Sequence, residues 1–113
     1  MASMGAGDLR DRVRFDARSP DANGDAVGDF FEGFTVWANI EYLRGSEVAI
    51  QQRLEGRQPV SVTVRDSAQA RTINAAMQMV NTRSGEIFNV TAASPARQAG
   101  FRNILAVSGG APG

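Results

Sequence analysis

Alternation by two dominates the hydrophobic pattern of this chain, the mark of strands with one face buried and the other exposed or shared with a neighbour. From Leu9 to Phe15, Leu9, Val13 and Phe15 share a face with Asp11 while Arg10, Arg12 and Arg14 line the other, so the first strand carries an arginine stripe. Phe30 to Leu43 reads as a long strand, bent or bulged near Gly33, with Val36, Ala38, Ile40 and Tyr42 on one face and Trp37 on the other. Apolar groups on both faces predict burial against a second surface, another subunit among the candidates. Pro59 opens PVSVTVR, where Val60, Val62 and Val64 alternate with Ser61, Thr63 and Arg65 in the cleanest strand of the chain. Met77 to Thr82 and Glu86 to Ala92 flank Arg83-Ser84-Gly85, the spacing of a hairpin with glycine at the positive-φ position. A last strand, Phe101 to Val107, follows a loop at Ser94-Pro95.

Between these runs the composition changes. Arg18 to Asp29 holds Pro20, Asn23-Gly24 and Gly28 among aspartates, which predicts a surface turn joining two strands. After Arg44-Gly45, Ser46 is placed to cap a short helix through Glu55, with Glu47 in its first turn and Gly56 just past its end. Ile50 and Leu54 lie one turn apart and form a narrow stripe, which fits a partly exposed helix or a mobile loop. Asp66 to Ala76 is left open between helix and loop, because Asp66 and Gln69 match a capping box in a short polar stretch. No internal repeat or linker divides the chain. The expected organisation is a flexible arm over residues 1–8, one domain over 9–107 and a disordered tail over 108–113. The fold class is mainly β: a small β-barrel of about six strands, or a curled sheet, with one short helix or long loop.

Composition narrows the chemistry. At 113 residues the chain suits one compact core, a domain of this size hiding roughly two thirds of the surface its unfolded form exposes. Twelve acids balance twelve bases, which gives no footprint for a free-standing nucleic-acid binder. All the bases are arginine, so there is no Schiff-base amine and no GK[ST] phosphate cradle. Without histidine or cysteine the chain lacks the commonest general base, a thiol nucleophile, Cys/His zinc ligands and disulfides. Its N-terminal stretch MASMGAGD has no apolar run of signal or membrane-span length, so the expected site of synthesis and use is cytoplasm, with no membrane contact. Asn89-Val90-Thr91 matches a glycosylation acceptor but falls in a predicted strand and is discounted.

Several constellations invite a sharper reading. Asp21, Asn23, Asp25, Val27, Asp29 and Glu32 occupy the ligand positions of a twelve-residue calcium loop. That loop needs glycine at its sixth position, where this chain has Ala26, and flanking helices, where the neighbours read as strands; turn chemistry is preferred and no metal or cofactor is assigned. Trp37, Phe30, Phe31, Phe34 and Tyr42 are the residue types of a base-stacking platform, yet the arginines do not interleave with them in sequence, and core packing is the expectation. Met77 and Met79 read as core filler. The arginine stripe suits either a partner's acidic groups or a solvated edge, with direct DNA binding ranked lower. The carboxylates are scattered in turns, and Ser46 and Ser84 have no base to activate them, so no catalytic residue is assigned and an enzyme is not expected.

GDLRDRV (Gly7 to Val13) and VWANIEYLRGSE (Val36 to Glu47), in that order and spacing, resemble the phage head-tail joining family. The likeness runs through Leu9-Arg10, Arg12-Val13, the Gly24-Asp25 turn, Trp37-Ala38, Leu43, Gly45 and Glu47 to VTVR, the hairpin at Gly85 and the final strand. Asp66 to Ala76 is similar to versions in alphaproteobacterial phages and gene transfer agents. The ending departs: relatives often finish with an acidic residue before Ser-Gly, where this chain has Val107-Ser108-Gly109-Gly110. The resemblance implies a β-barrel head-tail connector of the virion neck, a stopper made in the host bacterial cytoplasm. Its copies would form a six- or twelve-fold ring between the portal adaptor ring and the tail terminator or tail tube, with packaged double-stranded DNA passing through the channel. On this reading Leu9, Arg10, Arg12 and Trp37 serve ring packing and adaptor contact, and Arg44, Glu47, Gln51, Gln52 and Arg53 lie on the channel loop, Leu43 to Gln58. A neutral chain also suits a channel wall that must not grip passing DNA. The alternatives are another neck component, such as a tail terminator or adaptor, and a small β-barrel binding module unrelated to phage.

Overall fold

The computed structural model describes residues 9–20 and 26–109. Six strands form a closed barrel in the order β1-β2-β3-β6-β5-β4, and every neighbouring pair is antiparallel. They are β1 (Asp11–Pro20), β2 (Ala26–Tyr42), β3 (Gln58–Arg65), β4 (Gln78–Asn81), β5 (Ile87–Pro95) and β6 (Phe101–Ser108). One helix, α1 (Glu47–Leu54), connects β2 to β3, and a 3₁₀ turn at Ala70–Thr72 lies between β3 and β4.

Period-two alternation sorts side chains between the barrel interior and its outer wall. Val13 and Phe15 of β1, Val60, Val62 and Val64 of β3, Met79 of β4, Phe88 and Val90 of β5, and Ile104 and Ala106 of β6 form one core. Burying a side chain the size of Phe15 or Phe88 contributes about 1.5–3 kcal/mol. The connection after β3 adds Ala70, Ile73 and Met77 to the same core. Of the two readings left open for Asp66 to Ala76 it takes the one without an α-helix: Ser67 Oγ accepts the Ala70 N–H at 3.0 Å, and Arg71 forks onto Asp66 at 3.0 and 3.1 Å, so no capping box forms between Asp66 and Gln69.

Two close backbone approaches require glycine. Between Phe15 and Asp16 the β1–β2 register shifts, so that Gly33 is the extra residue of a bulge in β2. A Cβ on Gly33 would overlap the Phe15 carbonyl oxygen. Gly109, at φ 80°, lies so close to the Gly56 carbonyl that a Cβ there would overlap it as well.

Strand boundaries differ from expectation in three places. β1 continues to Pro20 and β2 begins at Ala26, so the described residues of the stretch expected as a turn are strand; Gly24 of that turn, and Asp21, Asn23 and Asp25 of the calcium-loop reading, lie outside the described residues. β5 runs through Ser94-Pro95, where a loop was expected, with a register shift between Val90 and Ala92. β6 includes buried Ser108, the first residue of the expected tail. Residues 1–8 and 110–113, expected as arm and tail, lie outside the described residues.

Candidate contact surfaces

Two surfaces at opposite ends of β3 carry the residues singled out by sequence. At the Arg65 end, Leu9, Arg12, Thr35, Val36 and Trp37 line a groove together with Arg65, Ser67 and Gln69. The groove exists because β3 pairs with β2 only from Ala38 to Tyr42, so the two strands part at Trp37. Leu9 is buried in its floor, whereas Arg10 is exposed and does not line it.

Trp37 is 51% exposed, which overturns the expectation of a core tryptophan. It points to the outer face because its neighbour Ala38 points inward, and the Arg12 guanidinium stacks 4.9 Å from its ring. Phe31 and Tyr42 are likewise exposed, while Phe34 packs against the core and touches the Phe15 ring at 5.7 Å. Arginine and aromatic residues do interleave, contrary to the sequence reading, because pairing of β1 with β2 brings Arg12 opposite Trp37 and Arg18 opposite Phe30, with Arg18 4.5 Å from that ring. Separate stretches of sequence supply the two partners, so linear inspection does not find them. Tyr42 donates its hydroxyl to Glu86 at 3.1 Å, and burial, then this bond, raises its pKa.

The arginine stripe is not uniformly solvated. Arg14 donates to both carboxylate oxygens of Asp16 and lies 3.3 Å from Glu32. Asp16 is 2% exposed and also accepts from Gln78. Burial pushes this carboxyl up, but the hydrogen bonds from Arg14 and Gln78, the Arg14 charge and the Gly33 N–H outweigh it and hold its pKa below the ordinary value. The Asp16 bond likewise raises Arg14.

At the Gln58 end, the connection Leu43 to Gln58 folds as α1 over the outer wall. Ser46 Oγ accepts the Ala49 N–H at 3.1 Å, Glu47 sits in the first turn, and Gly56 follows at φ 81°. Of the partly exposed helix and the mobile loop that the sequence allowed, the helix forms: Ala49 is its buried residue, while Ile50 and Leu54 are 46% and 83% exposed. The small Ala49 side chain permits close approach to β3, which larger Ile50 and Leu54 would prevent. Arg44, Glu47, Gln51 and Arg53 are exposed, and Gln52 turns back toward a groove that Val48, Pro59 and Leu105 also line. Arg44, Glu47, Gln51, Gln52 and Arg53 thus share one short segment, and none of them lines the Trp37 groove.

Among the described residues no group of three or more acidic, histidine or cysteine side chains could hold a metal ion. No described helix is long and apolar enough to cross a membrane.

Comparison with known proteins fits this architecture. The family model for phage head completion protein matches residues 4–109. The solution structure of protein SF1141 from Shigella flexneri 2a superposes with a TM-score of 0.66 at 24% identity, covering 96% of this chain and all (100%) of that one. A chain of the virion of a native gene transfer agent particle superposes with a TM-score of 0.64 at 21% identity, covering 88% of this chain and 94% of that one. At these identities the two structures establish a shared fold. A search of curated proteins finds no match. The family match sets aside the binding module unrelated to phage. The chain belongs to the phage head completion protein family, and it is a structural component of the virion head and neck rather than an enzyme.

Proposed function

We propose that the protein is the stopper of the neck: copies form a ring between the portal adaptor and the tail, α1 and its flanks face the channel and retain packaged DNA, and an outer face of the ring receives the tail. The observation that carries this reading is the way α1 is held. A helix with one buried side chain, Ala49, and exposed Val48, Ile50 and Leu54 is a low-stability element on a rigid barrel. Such an element can change position while the barrel keeps its place. Its exposed apolar groups also need a partner surface in the assembled particle.

Leu9, Arg12 and Trp37 are the better candidates for the adaptor or ring contact, because a stacked Arg–Trp pair beside a groove is the kind of anchor that dominates interfaces. Arg10 belongs to the same stretch but stands outside the groove. Replacing Gln51, Gln52 and Arg53 together with glycine tests the gating role. The barrel is expected to stay folded, the protein to join the particle, and filled heads to lose DNA; retention at the level of the unaltered particle would contradict it.

A further inference from the structure

The β1–β2 ribbon outgrows the barrel. On the far side of β1, β4 covers only Val13 to Asp16, and on the far side of β2, β3 covers only Ala38 to Tyr42. Among the described residues, Ala17–Pro20 and Ala26–Trp37 therefore pair with no strand beyond one another. Each has an outer row of backbone N–H and C=O groups with no strand partner among the described residues, on opposite edges of one ribbon.

We propose that these two edges pair between copies of this chain. The open edge of β2 in one copy takes the end of β1 in the next, and the ribbons join into one continuous antiparallel sheet. The proposal rests on the reading of the protein as a multi-copy ring and names the surface that builds it.

Three observations support a second copy as the occupant. First, a two-stranded ribbon is marginally stable alone in water, and an open edge is a template for another strand. Phe31, 52% exposed in this segment, adds apolar surface for a neighbour to cover. Second, the two edges suit each other in direction and charge. β1 and β2 are antiparallel, so ribbons set side by side in one orientation bring β2 against the next β1 in antiparallel sense. The end of β1 carries Arg18 as its one charged residue, whereas Ala26–Trp37 carries Asp29 and Glu32 and no base. Third, pairing β2 with β2 about a two-fold axis would bring like charges together, which is unfavourable across strands. A contact between two different edges repeats from copy to copy, and forms a ring where the rotation between copies closes. Pro20, with no N–H to donate, limits the pairing at the end of β1.

The test is site-specific photocross-linking in assembled particles with Phe31→p-benzoylphenylalanine, an aromatic replacement at an exposed position. Illumination is expected to give a denaturing-gel ladder that extends beyond the dimer, with cross-links mapped to the peptide containing Ala17 to Pro20 of a second copy. Dimers alone would indicate a two-fold contact, and cross-links only to a different neck protein would assign the edge to that partner; either overturns the proposal. Electron microscopy of the same particles separates the two levels of the argument. A multi-copy ring without the ladder overturns the edge pairing and leaves the ring reading standing, whereas a single copy per particle overturns both.

Discussion

Arg14 and Asp16, two residues apart on β1, lock together through both carboxylate oxygens, with Arg14 Nε 2.7 Å and Nη2 3.1 Å from their acceptors. The pair sits at the register shift opposite Gly33, where Asp16 is buried beside the fully buried Phe15. A charge in that position stays ionised because Arg14, Gln78 and the Gly33 N–H supply what water would have. The pair joins three strands, since Gln78 belongs to β4 and Glu32 to β2.

This arrangement predicts an acid-limited stability. The folded-state pKa of Asp16 lies below its ordinary 3.8, so its contribution is fully present above that value and is lost as pH falls through the lower folded value. Asp16→Asn is expected to lower stability at neutral pH by about 1–3 kcal/mol, the cost of leaving a charged hydrogen-bonding partner unmatched. The gap between the variant and the original protein should narrow in strong acid. Urea unfolding across the acid range checks this, and a gap that stays constant with pH would contradict the role given to the carboxylate.

Gly33 should tolerate no side chain. A methyl group there meets the Phe15 carbonyl oxygen, which is backbone and cannot rotate away. Gly33→Ala is expected to cost roughly 1–3 kcal/mol, the range for forced backbone shifts in a packed region. Alanine at Gly45, where nothing lies within 4 Å of the new Cβ, is the control and should leave the thermal midpoint nearly unchanged.

Trp37 should matter more to assembly than to folding. With half its surface exposed, Trp37→Ala is expected to cost about 1–2 kcal/mol, counting partial burial and the Arg12 stack. Phe15→Ala, at a fully buried position, should cost about 3–5 kcal/mol. Comparing the two melts with incorporation into particles distinguishes the roles. A Trp37 variant that melts as low as the Phe15 variant would show a core residue rather than a contact residue.

The barrel was legible because its strands alternate cleanly: Val60, Val62 and Val64 announce β3, and the glycine at Gly85 announces the β4–β5 hairpin, where its φ is 78°. Ser46, Glu47 and Gly56 mark α1 for the same reason, each satisfying a local backbone need. What alternation leaves undetermined is which strands continue past the sheet. Turn-rich composition between Arg18 and Asp29 hides the extension of β1 and β2, since proline and aspartate are compatible with a two-stranded ribbon as well as a loop. Size alone assigns the aromatic residues to the core. Strand pairing instead puts Trp37 opposite Arg12 on the outer wall. Likewise the narrow stripe of Ile50 and Leu54 does not say which face of α1 packs, and it is Ala49 that is buried.

The stopper reading is tested most directly by electron microscopy of particles assembled without this protein, scoring head filling and tail attachment. The predicted result is heads that package DNA and then lose it, beside free finished tails. Filled heads carrying normal tails would contradict it.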